Sequence, residues 1–281
     1  MASLATPHDP RLSDPATVTG LQARILSWYA HNARDLPWRR TTDPYAILVS
    51  EIMLQQTQVP RVIPKYEEFL AAYPRLEDLA EAPLDEVLRL WKGLGYNNRA
   101  RRLRDCAAAV TVAATTRPAT LPHALDELQA LPGLGPYTSR AVLIFAHNED
   151  LAAVDANVRR VLTYELGLPA DLPARELQAV ADAALPRGRS RDWHNALMDY
   201  GALVLTARVT GIAPRTSQGA FVGSRRWYRS RLLQALLERG PQGLDQLAAT
   251  LRVSPAAAAE LVDLLARDGL VRRDGDSVRV A

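Results

Sequence analysis

Two carboxylates stand in surroundings that suit chemistry. Glu51 lies inside the apolar run Ser50-Glu-Ile-Met-Leu-Gln-Gln-Thr57, and Asp155 opens the segment Val154-Asp-Ala-Asn-Val-Arg-Arg160. An acid can protonate a leaving group while a second carboxylate stabilises a cationic sugar. Glycosidic bond cleavage needs that pair. Each residue also has a plainer use: Glu51 suits a solvated helix face, and Asp155 suits a helix N-cap. Between them lies Leu131-Pro-Gly-Leu-Gly-Pro-Tyr-Thr138, with two glycines two apart and a helix start just behind. The backbone N–H groups of such a turn can hold a phosphate. An ordinary interhelical turn has the same composition.

The scaffold that positions these residues reads as helical. Apolar residues recur at helical spacing over 21–33, from Pro44 to Leu54, and over 62–73, 84–90, 99–112, 124–131, 137–146, 157–165, 175–185 and 193–207. Residues 209–224, rich in Thr, Gly, Ser and Pro, read as an irregular connection. Beyond them the spacing predicts helices over 229–238, 244–251 and from Ser254-Pro255 to 268, then two short strands around Asp274-Gly275. Three helices and a hairpin resemble a winged helix. For that element a DNA contact and a purely structural or partner role both stay open.

Composition narrows the class. The chain has 281 residues, 48% hydrophobic and 23% charged, as in a soluble globular protein rather than a disordered one. No uncharged apolar run approaches the ~20 residues of a membrane span, so no membrane partner is expected. The N-terminus lacks a basic stretch followed by an apolar core, which predicts a cytoplasmic protein. Cys106 is the single cysteine, which excludes an intrachain disulfide and any site built from several thiolates. The net charge is +3, and Lys65 and Lys92 are the only lysines. Arginine therefore carries nearly all the basic charge. That suits bidentate phosphate contacts, and it equally suits a genome that prefers arginine codons.

Leu36-Pro-Trp-Arg39, Ser50–Thr57, Pro83-Leu-Asp-Glu-Val-Leu-Arg-Leu-Trp-Lys-Gly-Leu-Gly-Tyr96, Leu131–Thr138 and Val154–Leu162 follow one another in a characteristic order and spacing. Over residues 20–225 they resemble the helix-hairpin-helix base-excision DNA glycosylase superfamily, which includes endonuclease III, and most closely the MutY-type adenine glycosylases. The resemblance implies an all-α, bilobed fold with the active site in the cleft between the lobes. It implies a tail over 1–20, a glycosylase domain over 21–224 and a small winged-helix domain over 225–281. Asp155 would stabilise or attack the oxocarbenium-like sugar, supported by Asn157, while Glu51 protonates the departing base. Gln56, beside Gln55, would fill the gap left by a flipped nucleotide. Gly133 and Gly135 are implied at the DNA backbone, Gln55, Thr138 and Arg99 are implied as further DNA-binding residues, and Arg34, Trp38, Arg39 and Asn195 are implied at the base pocket. Tyr137 stands where strand-cutting relatives carry a Schiff-base lysine. Neither Lys65 nor Lys92 matches that position, so hydrolysis without efficient strand cleavage is expected.

The chain also departs from the pattern. Leu205, Ile212, Arg215 and Phe221 fall at the four cysteine positions of the [4Fe–4S] loop of relatives. None ligates iron, so no cluster, other cofactor or metal is expected. Leu205, Ile212 and Phe221 are expected to pack as a small apolar core within 205–221. Arg208 and Arg215 are candidates to replace the phosphate contacts of that loop, with ordinary solvated arginines as the alternative. Tyr96 is followed by Asn97 where MutY enzymes carry a second tyrosine as a wedge. A winged helix stands in place of their Nudix-like domain. The expectation is a monomer acting on double-stranded DNA at the nucleoid, removing adenine opposite guanine or 8-oxoguanine. The alternatives are thymine or uracil opposite guanine, an oxidised pyrimidine, or a different class: a protein that binds damaged DNA without cutting it.

Overall fold

The computed structural model describes residues 15–115, 118–215 and 219–281. In chain order the helices are α1 (Pro15–Asn32), α2 (Pro44–Leu54), α3 (Val59–Ala72), α4 (Leu76–Glu81), α5 (Leu84–Leu90), α6 (Asn98–Ala113), α7 (Leu125–Ala130), α8 (Pro136–His147), α9 (Ala156–Glu165), α10 (Ala174–Ala183), α11 (Ser190–Leu203), α12 (Ala207–Thr210) and α13 (Arg225–Arg239). Strand β1 (Gln242–Gly243), α14 (Leu244–Leu251), α15 (Pro255–Arg267), β2 (Val271–Asp274) and β3 (Ser277–Val280) complete the chain. Local signals set many of the starts. Proline sits in the first two positions of α3, α8 and α15, where its missing N–H costs nothing. Asp155, Ser224 and Ser254 each accept a backbone N–H as N-caps.

One compact unit gathers the described residues of Met1–Leu48, Pro122–Gln129 and Leu134–Ser217. Its core joins Leu21 and Ile25 of α1, Val161 and Leu162 of α9, Leu177 and Val180 of α10, and Trp193 and Leu197 of α11. The other unit gathers those of Val49–Leu121, Ala130–Gly133 and Gln218–Ala281. Trp91 and Phe69 are fully buried there and meet edge-on, with ring centroids 5.9 Å apart. Residues 225–281 show the order of a winged helix, closed by a sheet in the order β1-β3-β2. The register pairs Gln242 with Val278 and Val271 with Val280, both antiparallel.

Several elements differ from the sequence reading. Helix α1 begins at Pro15, so residues 15–20 are helix rather than tail; residues 1–14 lie outside the described residues. Helix α13 starts at Arg225 because Ser224 caps it, four residues before the apolar pattern begins. Helix α4 and strand β1 had no periodic signal, being six and two residues long. Among the described residues no helix is long and apolar enough to cross a membrane.

Candidate active site

Asp155 is the N-cap of α9 and is half-buried. One carboxylate oxygen accepts the Val158 N–H at 2.7 Å, and the other accepts the Asn157 side-chain amide at 2.9 Å. Burial lifts its carboxyl above the ordinary carboxylate range, against the lowering pull of those hydrogen bonds. Asn157 is held in turn, since Arg160 donates to its side-chain oxygen at 2.6 Å. Arg160 is itself buried, and it also donates to the carbonyls of Gly201 and Leu205, each at 2.6 Å. The guanidinium thus locks the α9 N-terminus against the end of α11. That approach requires Gly201: a Cβ there would lie 2.8 Å from the Asn157 Cβ and 3.1 Å from its carbonyl oxygen. Sequence reasoning passed over both Arg160 and Gly201, because the carbonyls of Gly201 and Leu205 lie more than forty positions from Arg160.

A second aspartate of the same unit is used differently. Asp199 in α11 is fully buried, and it accepts from the Arg34 N–H at 2.9 Å and from Arg34 Nε at 2.7 Å. Arg39 grips both of its oxygens at 2.7 and 2.8 Å. Burial pushes this carboxyl up, but the Arg39 hydrogen bonds and the two positive charges outweigh it and hold it below the ordinary range. Arg34 and Arg39 are thereby committed to a buried ion cluster. Trp38, in the 3₁₀ turn Pro37–Arg39, and Asn195 of α11 are both buried as well.

In the other unit Glu51 is 7% exposed, so it does not lie on a solvated face. Helix α2 then ends in a turn where Gln56 is exposed at φ 56, a left-handed backbone that side chains with a Cβ adopt at a cost of about 1–2 kcal/mol. Tyr96, at the end of the Gly93–Tyr96 turn, is likewise left-handed at φ 47 and 39% exposed. Arg99 joins the two turns. Its guanidinium donates to the carbonyls of Ile52, Met53 and Gln55 at 2.7, 3.0 and 2.5 Å, and to those of Leu94 and Gly95 at 3.0 Å each. It donates also to the Thr57 hydroxyl at 3.1 Å. Burial brings its pKa down to about 10, so it stays charged. Arg99, expected at DNA, has both terminal nitrogens on those carbonyls and on the Thr57 hydroxyl, so within the protein it acts as a staple between two turns.

At the hairpin between α7 and α8, Gly133 has φ 81, and a Cβ there would come within 2.7 Å of the Arg102 Cβ. No other residue fits without a shift. Gly135 precedes Pro136 as the N-cap of α8, and both Gly133 and Gly135 are exposed. Tyr137 is half-buried in the first turn of α8, while Thr138 beside it is buried.

The 205–221 segment does not form the small core expected of it. Leu205 packs in the core of its unit, Ile212 is half-buried, and Phe221 is 52% exposed. Hydrogen bonds to backbone hold its described part up to Arg215: Arg159 donates to the Ala213 carbonyl at 3.1 Å, and Arg215 donates to that of Leu172. Arg208 is exposed. The donor set does not fit an iron–sulfur cluster, because none of the four positions offers a thiolate. Cys106 is buried in α6, with its thiol pushed up to about 12 by desolvation.

Residues 49–186 match the family described as HhH-GPD superfamily base excision DNA repair protein. An adenine DNA glycosylase of Mycolicibacterium smegmatis is 39% identical, over 90% of this chain and 92% of that protein. One from Mycobacterium tuberculosis is 36% identical over 82% of this chain and 83% of its own length. Human adenine DNA glycosylase is 40% identical over 69% of this chain, a match covering 37% of the human protein. Among solved structures, a thermostable thymine-DNA glycosylase superposes with TM-score 0.62 at 31% identity, covering 68% of this chain and 89% of that one. A DNA-bound endonuclease III shares the fold at TM-score 0.60 and 20% identity, over 70% of this chain and 88% of its own. With the hairpin glycines, the capped Asp155 and near full-length similarity in hand, the chain belongs to the HhH-GPD superfamily of base excision DNA repair proteins, alongside the adenine DNA glycosylases.

Proposed function

We propose that the chain removes adenine from duplex DNA opposite guanine or 8-oxoguanine, as a monofunctional glycosylase that leaves the strand intact. The observation that carries this reading is the Asp155 carboxylate, oriented by two neutral donors and left with a raised pKa. The extruded nucleotide brings its C1′ to that carboxylate. Glu51 protonates the ring of the departing adenine as the C1′–N bond breaks. Asp155 then stabilises the positive charge that develops on the sugar, and water adds to C1′ as its proton passes to the Glu51 carboxylate. The products are free adenine and an abasic site. Tyr137 has no amine to form a Schiff base, so the backbone is not cut.

Gln55 and Gln56 fill the space the base leaves, while Gly133, Gly135 and Thr138 hold the phosphate backbone. Trp38 and Asn195 wall the base pocket, with Arg34 and Arg39 fixing its frame through Asp199. The enzyme works as a monomer without an iron–sulfur cluster, the chemistry residing in 21–224 and the winged helix in 225–281. A single-turnover base-release panel tests this reading: adenine opposite 8-oxoguanine and opposite guanine, thymine and uracil opposite guanine, and oxidised pyrimidines, each split with and without alkali. Adenine release, with strand breaks only after alkali, is the expected outcome. Release of a pyrimidine alone would hand the substrate to the thymine-DNA glycosylase pattern, and breaks without alkali would refute the role of Tyr137.

A further inference from the structure

A winged helix that binds DNA in the usual helix-turn-helix manner lays its third helix in the major groove. Here that helix, α15, is ill suited to a polyanion. Its exposed positions are Pro255, Ala256, Glu260, Asp263, Ala266 and Arg267, two acids to one base. Asp263 is moreover tied to Arg273 of β2 at 3.0 Å.

The lead-in to α13 has the opposite character. Phe221 and Val222 are 52% and 77% exposed. They sit in a turn closed by the Ser224 N–H on the Phe221 carbonyl at 3.1 Å, with Gly223 at φ 78. Adjacent large apolar side chains left in water mark a contact surface more often than isolated ones do. Arg225, exposed, and Arg226 follow directly. Arg226 donates to the Tyr96 hydroxyl at 2.7 Å and stands over its ring at 5.8 Å. Arg99 lies 5.6 Å from the centroid of the same ring and holds the Gln55 carbonyl beside the exposed Gln56. Two arginines therefore link the 221–226 turn, Tyr96 and the Gln56 turn into one continuous surface. The C-terminal region is docked on this unit by further contacts, including Lys92 to Glu238 at 3.0 Å.

We propose that the 221–226 turn is a second contact for duplex DNA, with Phe221 and Val222 against a base step and Arg225 on a phosphate, so that the winged helix meets DNA through the approach to its first helix and not through its third. Apolar wedges flanked by arginines are a recurrent means of gripping a base step, and aromatic rings accept any base face. The inference rests on the reading of the chain as a glycosylase of duplex DNA.

The test measures binding of the full chain, by fluorescence anisotropy, to a labelled duplex carrying an uncleavable adenosine analogue opposite 8-oxoguanine. The Phe221→Ala, Val222→Ser double variant and Arg225→Ala are compared with Arg267→Ala and Arg272→Ala, and thermal melts confirm that each is folded. The double variant is expected to bind on the order of tenfold more weakly, the size of one lost stacking contact. Arg225→Ala is expected to weaken binding and to flatten its salt dependence by about one phosphate contact. Arg267→Ala and Arg272→Ala are expected to bind as the parent does. Parental affinity in both turn variants, or a loss confined to Arg267→Ala or Arg272→Ala, would overturn the inference alone. A parent that binds no duplex at all would remove the glycosylase reading, and this inference with it.

Discussion

Asp155 and Asp199 are aspartates of one unit, both drawn out of water, with pKa values displaced in opposite directions. Asp199 meets two guanidinium groups, whose charge outweighs desolvation. Asp155 meets a backbone N–H and a neutral amide, with the Arg160 charge as the smallest influence, and together these do not. The difference is one of counter-charge. A saturated carboxylate is a structural tie, whereas one given orientation without neutralisation keeps its negative charge available to an incoming cation. Arginine shows the same split: Arg39 neutralises an acid, while Arg99 and Arg160 hold backbone carbonyls in place.

The sharpest way to break this contrast is Asp155→Asn. Its base release under single turnover should fall by about a hundred- to ten-thousand-fold. The melting midpoint should not fall. The folded Asp155 carboxyl titrates above its unfolded value, so its contribution favours the fold at low pH and is lost as pH rises through the folded value. Asparagine avoids that loss and still caps the helix.

Asp199→Ala should act the other way, costing about 3–5 kcal/mol in urea unfolding because it strands buried arginine charge. Asp199 titrates below its unfolded value, so its stabilisation is present above that value and lost as pH falls through the folded one. Arg160→Met should cost about 1–3 kcal/mol for each of the buried Gly201 and Leu205 carbonyls it leaves without a donor, again read by urea. Gln56→Gly should change stability least, by under about 1 kcal/mol and upward, since glycine relieves the left-handed backbone. Its duplex affinity, measured by anisotropy, should still drop. In a pH–rate profile, release should decline in acid from a pH above the ordinary carboxylate range, as Asp155 takes up its proton.

What could be read from the sequence was local. The hairpin glycines, Asp155 at a helix mouth and Ser254-Pro255 at a helix start all announce themselves within four residues, and each stands where its type predicted. What could not be read depends on distant partners. Asp199 gains its role from Arg34 and Arg39, some 160 positions away. Arg99 was expected at DNA from the family resemblance alone, and nothing in its neighbourhood shows that carbonyls 44 to 47 residues earlier would surround it. Phe221 was placed in a core because it is apolar and falls at a cluster-ligand position of relatives, and only its 52% exposure marks it as a surface residue. Helix α4 and strand β1 were too short to carry a period.

The most direct measurement takes Asp155→Asn and Asp199→Asn side by side. Each sample is assayed for single-turnover adenine release from an adenine–8-oxoguanine duplex and then melted. The expected result is a crossed one: Asp155→Asn loses the rate and keeps the melt, while Asp199→Asn lowers the melt and, well below its midpoint, stays within about tenfold of the parental rate. Retained activity in Asp155→Asn, or lost activity in Asp199→Asn at an unchanged melting midpoint, would contradict the division of roles between the two aspartates.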